Sequence, residues 1–407
     1  MTLPAGHIHT ADRPLGAPLE ILRVFLKLGV TCFGGPVAHI GYFRREFVSR
    51  RNWLTERDYA ELVALAQSLP GPTSSQVGFA IGLLRAGYRG ALAAWVGFTL
   101  PSAVLLILFA YGAAGLNETV GRGLLHGLQL LAVAVVAQAV IGMARTLSPD
   151  LRRALIAASA AAIVLFGHFN LVQLAAIVWG AALGWLICRP DATAPAEALP
   201  LLPVTPRAGW IAWILFLALF VGLQAIPDGG SLQSIALFNA YYRSGSLVFG
   251  GGHVVLPLLH DAFVTPGWVS DDAFMAGYGA AQAVPGPLFT FAGYLGTVAR
   301  ASPHGPIGAM IGLVGIFLPG MLILVGALPY WQRLRQQQAL RRSMLGVNAA
   351  VVGVLAAALY NPIWTGSVKA IPDLILAGAC FLLLTVGRMP PLVVALIAAA
   401  AGALLVP

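Results

Sequence analysis

The chain has 407 residues, of which 58% are hydrophobic and only 10% are charged, and its formal net charge is +9. Apolar runs of roughly 18 or more residues recur along it, which is typical of an integral membrane protein and excludes a large soluble domain. In a soluble protein the positive charge would suggest nucleic acid, but in a membrane protein it indicates basic cytoplasmic loops. We therefore expect the lipid bilayer, and no nucleic acid, as a partner.

Two interrupted apolar segments follow a polar N-terminus. Residues 1–18 carry charged and histidine side chains and no apolar core, so they do not predict a cleaved signal peptide. The segment Leu19–Val48 contains Gly34-Gly35-Pro36, and the segment Tyr59–Leu84 contains Pro70-Gly71-Pro72. No helix continues through the Pro-Gly-Pro triplet, because each proline lacks an N–H group and restricts the residue before it.

The lengths on either side of the breaks predict two re-entrant hairpins. Each arm is about 11–16 residues, or roughly 17–24 Å as a helix, which reaches the middle of a bilayer and not much further. The chain is then predicted to cross at 91–115, to return at 123–144 and to form a helical pair at 151–187. A polar, proline-rich linker at Asp191–Arg207 and an apolar segment at Trp210–Ile226 follow.

The second half of the chain repeats the first, at a spacing that drifts slowly from 215 to 223 residues. The aligned motifs keep their order throughout, which predicts two homologous halves. They include Phe33-Gly34-Gly35 with Phe249-Gly250-Gly251, Trp53 with Trp268, Pro70-Gly71-Pro72 with Pro285-Gly286-Pro287, Gln129 with Asn348, and Pro149-Asp150 with Pro372-Asp373. We assign residues 1–190 to an N-terminal domain, 191–229 to a linker with a connecting transmembrane helix, and 230–407 to a C-terminal domain.

Arginine placement predicts that the two halves are inverted in the membrane. With re-entrant hairpins and a cytoplasmic N-terminus, only Arg122, Arg300 and Lys369 of the 24 lysines and arginines fall in outer loops. The alternative is that the broken segments span the membrane fully, which would place basic clusters on both sides, against the positive-inside rule. In this topology the last helical pair turns at Arg388 on the inner side, and the C-terminus is periplasmic. The predicted fold is an all-α integral membrane protein of two inverted repeats with broken, re-entrant helices.

The breaks also predict an anion site. The second arm of a re-entrant hairpin begins near the midplane, where its first N–H groups lack partners and the helix dipole adds positive potential. The alternative is that proline and glycine merely kink packed helices, and that the two glutamines near the breaks bond across helices. The predicted substrate-binding residues at the breaks are Gly34, Gly35, Pro36, Gln67, Pro70, Gly71, Pro72, Thr73, Ser74, Gly250, Gly251, Gly252, Gln282, Pro285, Gly286 and Pro287.

Lys27 and Arg243 complete the predicted site. They occupy equivalent positions in the two halves and lie in apolar segments, where a charge is costly and therefore suggests function. We expect them to face one anion from opposite halves, the alternative being that each extends to the nearest membrane surface. His39 and His253 are weaker candidates for carrying a coupling proton. No residue is assigned to catalysis or to a metal and no cofactor is expected, because no nucleotide-binding or zinc-protease motif occurs.

The motifs around the first two breaks resemble those of the chromate ion transporter (CHR) family. They are K-L-G-V-T-C-F-G-G-P at Lys27–Pro36, E-F-V at Glu46–Val48, R-N-W-L at Arg51–Leu54 and A-Q-S-L-P-G-P at Ala66–Pro72. The resemblance covers nearly the whole chain and both halves, as in the long, two-domain form of the family. It implies a transporter that exports chromate across the bacterial inner membrane, confers chromate resistance and uses the membrane potential or a proton gradient.

Two other functions stay open at this point. One is a transporter or exchanger for sulfate, a near-isostere of chromate, or for another oxyanion. The other is a membrane-embedded enzyme, which would need catalytic carboxylates or a metal cluster at the midplane, whereas the carboxylates of this chain fall almost entirely in loops. A homodimer is a candidate assembly.

Overall fold

The structure is a computed structural model that describes residues 18–114, 118–167, 171–189, 204–225, 233–249, 251–300, 302–334 and 336–405. Within these ranges the chain forms helices and no strand. The first half contains α1 (Pro18–Thr31), α2 (Gly35–Phe43), α3 (Glu56–Gln67), α4 (Thr73–Ala114), α5 (Glu118–Leu147), α6 (Leu151–Phe166) and α7 (Val172–Ile187). After α8 (Pro206–Gly222) come α9 (Gln233–Ser246), α10 (Val255–Phe263), α11 (Asp271–Ala283), α12 (Phe291–Val298), α13 (Gly305–Ala327), α14 (Trp331–Leu334), α15 (Gln338–Ala358), α16 (Thr365–Ser367), α17 (Ile371–Thr385) and α18 (Pro391–Leu405). Short 3₁₀ turns at Gly252–Val254 and Leu288–Thr290 precede α10 and α12, and a π-helical turn at Arg44–Arg50 extends α2.

Four helical stretches are long and apolar enough to cross a membrane. They are Thr73–Ala113, Gly121–Leu147, Gly305–Leu334 and Gln338–Ser367. Large apolar side chains on other helices are exposed as well, such as Trp210 (61%), Ile375 (66%) and Leu396 (65%). Such a surface is suited to lipid rather than to water. The chain is therefore a multi-pass membrane protein. We call the face at which α5 ends the inner face, since it is the predicted cytoplasmic one.

Helices α1 and α9 each span only half of a long neighbouring helix. Gly29 near the end of α1 packs against Pro101, which lies at the middle of the part of α4 that follows a bend at Ala86. In the second half, Gly245 near the end of α9 packs against Pro319 of α13 in the same way. Both helices therefore end at mid-depth, as the re-entrant hairpins of the sequence analysis require.

The tips of the hairpins from the two halves meet and are joined by two equivalent hydrogen bonds. The backbone N–H of Gly71 donates to the carbonyl of Val248 at 2.7 Å, and that of Gly286 donates to Cys32 at 2.8 Å. Both glycines have positive φ, +123° and +94°, which glycine adopts without the steric cost of a Cβ atom. The Pro-Gly-Pro breaks thus form a symmetric joint between the halves.

The two halves run in opposite directions. Helix α5 runs from the outer to the inner face, and α11 begins beside the outer half of α5, where Gln129 contacts Asp272. The end of α11 lies further along α5, since Gln282 and Gln138 border one cavity. Helix α11 therefore runs from the outer side toward the cavity, whereas its counterpart α3 begins at the inner face and runs toward the cavities from that side. The inverted repeat is confirmed.

The last helical pair of each half packs on the other half. Gly180 of α7 packs against Gly346 of α15, and Gly127 of α5 packs against Ala398 of α18. Small residues at these contacts allow the helix backbones to approach closely. The halves are consequently interlocked and do not form two separate bodies.

The position of the turn between α17 and α18 differs from the prediction. Leu384 and Pro391, which flank this turn, border a cavity together with Val135 and Gln138, about two-thirds of the way along α5 and short of its inner end. The prediction that the pair turns at Arg388 on the inner side is therefore wrong. Helix α17 has 15 residues, so it is only about 22 Å long and does not cross a hydrocarbon layer of about 30 Å.

An ion-pair cluster fixes the end of α2 at the inner face. Glu46 accepts hydrogen bonds from Arg51 Nε at 2.6 Å and from Arg50 Nη1 at 3.0 Å. Burial raises the pKa of this carboxyl, but the two arginines outweigh burial and hold its pKa below the usual value. The guanidinium groups of Arg51 and Arg85 lie 5.3 and 4.7 Å from the ring centre of Trp53. The E-F-V and R-N-W-L motifs thus stabilise the structure of this face.

Candidate functional site

Two cavities meet where the broken helices converge. The larger has a volume of about 640 Å³ and the smaller of about 90 Å³. Gly34, Pro36 and His253 border both of them. The larger cavity extends to the inner end of α5 at Thr146 and Leu147, so it leads to the inner face.

All four second arms of the broken hairpins begin at these cavities. Pro36 lies in the first turn of α2, and Thr73 is the first residue of α4. Gly252 and Leu288 begin the 3₁₀ turns that lead into α10 and α12. The start of a helix carries unpaired N–H groups and a partial positive charge, which suits an anion. The four starts therefore make the region between the cavities electropositive.

The first Pro-Gly-Pro break borders neither cavity. Pro70-Gly71-Pro72 packs against Gly320, and the amide of Gln76 donates to the carbonyls of Pro70 and Gly320, both at 2.9 Å. In the second break, Gly286 borders the smaller cavity, whereas the prolines on either side of it do not. Proline and glycine at the first break therefore hold the tip against the other half.

Four amide side chains line the cavities. Gln67 and Asn348 border the larger cavity, and Gln138 and Gln282 border the smaller. The sequence analysis identified Gln67 and Gln282 but missed the other two. The signals were present, because Gln138 interrupts the apolar run 124–144 and Asn348 aligns with Gln129 of the first half.

The two candidate histidines have different positions. His253 borders both cavities, and its Nδ1 lies 2.8 Å from the hydroxyl of Tyr278. His39 is buried away from the cavities, with Nδ1 3.2 Å from Ser74 Oγ and its ring edge-on to Phe98. Only His253 could therefore contact a bound anion directly, and Ser74 serves as a partner of His39.

The two cations predicted from the sequence lie apart from the cavities. Lys27 is exposed on α1, and Arg243 borders a separate small crevice with Asp261. Thr73, Gly34, Gly35, Gly251 and Gly252 do line the cavities. Gly250 lies outside the described residues. The joint contact of Lys27 and Arg243 with an anion stays a prediction.

The outer side of the site is closed by contacts between α11 and α5. The amide of Gln129 donates to the carbonyl and to Oδ1 of Asp272 at 3.2 and 3.1 Å. About two helix turns further along α11, Gly279 packs so closely on the carbonyl of Leu128 that a Cβ atom at this position would lie 2.2 Å from it. These contacts separate the cavities from the outer face.

The equivalent contacts on the inner side are absent among the described residues. Asn348, the counterpart of Gln129, borders the larger cavity, and Ala64, the counterpart of Gly279, is exposed. The larger cavity occupies the space between α3 and α15. The two halves thus have one sequence pattern in two arrangements, closed on the outer side and open on the inner side.

Comparison with known proteins assigns the chain to a family. The family model described as chromate transporter matches residues 19–185 and again residues 235–403. The chain belongs to the chromate transporter family. A probable chromate transport protein of Synechococcus elongatus is 30% identical over 87% of this chain and 85% of the relative.

Two further relatives in the chromate transporter family cover the chain to a similar extent. The chromate transport protein of Pseudomonas aeruginosa is 29% identical over 97% of this chain and 94% of its own length. That of Cupriavidus metallidurans is 29% identical over 88% and 85%, respectively. No solved structure gives a significant match. The relatives are named as transport proteins, which agrees with a transporter rather than an enzyme.

Proposed function

We propose that this member of the chromate transporter family exports chromate from the bacterial cytoplasm as a secondary active transporter and thereby confers chromate resistance. The observation that carries the proposal is the convergence of four helix starts, at Pro36, Thr73, Gly252 and Leu288, on two joined cavities at mid-depth. A tetrahedral dianion that leaves water must regain much of its solvation from fixed dipoles and donors. Four helix starts supply both without a reorganisation of the chain.

The inward opening of the larger cavity supports export. An anion from the cytoplasm reaches the helix starts through the space between α3 and α15, while the contact between Gln129 and Asp272 blocks its exit. If each half adopts the arrangement that the other half has in this structure, the inner side closes and the outer side opens. Alternating access of this kind follows from an inverted repeat, because each half can adopt the arrangement of the other.

His253 supports coupling to protons. It lies at the boundary of both cavities and is paired with a neutral hydroxyl, that of Tyr278, so a proton on its ring would alter the charge beside a bound anion. Coupling to the membrane potential alone is the other outcome, because movement of a dianion across a membrane is itself electrogenic. The placement of the protein in the inner membrane, the sidedness of its termini and a homodimer belong to the same proposal.

Transport measured in inside-out vesicles tests the proposal. Vesicles that contain the protein should accumulate chromate when energised, and control vesicles without it should not. One ionophore that collapses only the pH gradient and another that collapses only the membrane potential identify which of the two drives transport. Sulfate in tenfold excess tests the identity of the substrate by competition. If the vesicles take up sulfate but not chromate, sulfate replaces chromate as the proposed substrate. Absence of energised uptake of both anions would overturn the proposal.

A further inference from the structure

We propose that Arg388, in the turn between α17 and α18, is a substrate-binding residue that determines the affinity for the oxyanion. This inference rests on the proposed function and names a cation for its site. Among the described residues that line the two cavities there is no lysine or arginine. The helix starts alone supply only partial charges, which fall off within one turn.

The turn between α17 and α18 lies short of the inner end of α5. Helix α17 begins beside the outer part of α5, where Asp373 Oδ1 lies 2.8 Å from His126 Nε2. Its end lies beside Gln138, because Leu384 and Pro391 border the smaller cavity with that residue. Residues 386–390 therefore turn inside the membrane. Along α5, Gln138 comes about 10 Å before Arg145 at the inner end, at 1.5 Å per residue.

The turn that contains Arg388 must face water. A non-helical backbone is tolerated at such depth only where protein covers it or where it borders a water-filled space, and an exposed arginine in hydrocarbon is costly. Arg388 is exposed, and none of the described residues forms an ion pair with it. Arg388 itself borders neither cavity, but Leu384 and Pro391, on the two sides of its turn, border the smaller one. An arginine side chain in this turn can therefore extend toward an anion that enters the site from the inner face.

The backbone conformation of Arg388 also points to a function of its side chain. Met389 N–H bonds to the carbonyl of Leu383, which closes the end of α17 with Arg388 in the left-handed region at φ +50°. Glycine is the usual residue at this position of a helix end, because a Cβ atom is disfavoured there. An arginine at this position gives up backbone stability, which a function of its side chain would explain. A planar guanidinium group also matches two oxygens of a tetrahedral oxyanion.

Substitution by glycine separates function from folding. Arg388→Gly removes the guanidinium group and relaxes the backbone, so the purified protein should have an unchanged or higher Tm. We expect the KM for chromate to rise at least about tenfold, with the maximal rate less affected. Arg388→Asn, a second neutral residue that tolerates this conformation, should behave alike. Arg388→Lys should recover part of the affinity. The matched control is Arg145→Gln, which removes an exposed arginine nearer the inner face and should change KM less than about twofold.

The outcomes distinguish this inference from the proposed function. A KM within twofold of the unmodified protein in both neutral variants would overturn the role of Arg388 and leave chromate transport standing. A similar rise of KM in Arg145→Gln would also overturn it, because the effect would then report general surface charge. Absence of chromate transport by the unmodified protein would instead contradict the proposed function.

Discussion

Gly252 is the residue at which a small change tests the site with the least risk to the fold. A Cβ atom on it would lie 3.4 Å from Pro36 Cγ and 3.6 Å from Leu288 Cδ2, so a side chain fits but narrows the space between three helix starts. We expect Gly252→Val to raise the KM for chromate about tenfold, or about 1.4 kcal/mol of binding free energy. Its Tm should stay within a few degrees.

Gly142 provides the matched control for added bulk. It also borders the larger cavity, but no heavy atom lies within 4 Å of the Cβ that a substitution would add. Gly142→Val should therefore transport chromate with a KM close to that of the unmodified protein. Equal effects of the two substitutions would show that the convergence of helix starts is not the binding site.

His253 allows a test of coupling at the same scale. In His253→Gln the amide can still bond to Tyr278, but the side chain can no longer take up and release a proton. We expect transport driven by a pH gradient to fall at least about tenfold, whereas counterflow of chromate between equal pH values continues. His39→Gln, which changes a buried residue away from the cavities, should keep pH-driven transport. Normal pH-driven transport by His253→Gln would leave the membrane potential as the driving force.

The Pro-Gly-Pro breaks show how far the sequence predicts the elements. The absence of proline N–H groups predicts where helices stop, and the repeat predicts that both halves stop alike. Patterns in the chain do not predict which side of a break faces the cavity, because that depends on the tip-to-tip hydrogen bonds of Gly71 and Gly286. For the same reason the break motif predicts Pro70 and Pro72 at the substrate, although they border neither cavity. Gln138 is not predicted, because it reaches the site only where α5 passes both hairpins.

The last helical pair gives a second example at this scale. A turn near a basic residue predicts the cytoplasmic side under the positive-inside rule, and Arg388 was placed there. The structure puts this turn beside Gln138, short of the inner end of α5, because α17 accompanies only the middle part of that helix. Charge in a re-entrant turn and charge in a cytoplasmic loop are indistinguishable from composition alone.

Gly71 should affect folding rather than binding. A Cβ atom there would lie 2.8 Å from Gln76 Nε2 and 2.9 Å from Gly320 Cα, at a φ that favours glycine. We expect Gly71→Ala to lower the free energy of unfolding by about 2–3 kcal/mol, measured as a lower Tm of purified protein in detergent. Gly112→Ala, at a helical position with open space around it, should be neutral or stabilising. A Gly71→Ala protein of full stability would contradict the joint between the halves.

At the scale of the whole molecule, the inverted repeat produces two arrangements in one structure. On the outer side α11 packs on α5, and on the inner side α3 stands apart from α15, although both helix pairs are related by the repeat. Alternating access requires that the inner side can close as the outer side does. Arg57 of α3 and Asn348 of α15, the counterparts of Asp272 and Gln129, would then lie side by side.

Cross-linking of these two equivalent pairs tests the central claim most directly. The background replaces the buried cysteines Cys32, Cys188 and Cys380 by alanine and must retain transport. A short bifunctional thiol reagent should link Gln129→Cys with Asp272→Cys in the resting protein. It should link Arg57→Cys with Asn348→Cys mainly while chromate is being transported, and either link should stop transport until it is cleaved. A protein that transports chromate while the inner pair never becomes linked, or that transports at full rate with either link in place, would contradict alternating access through this site.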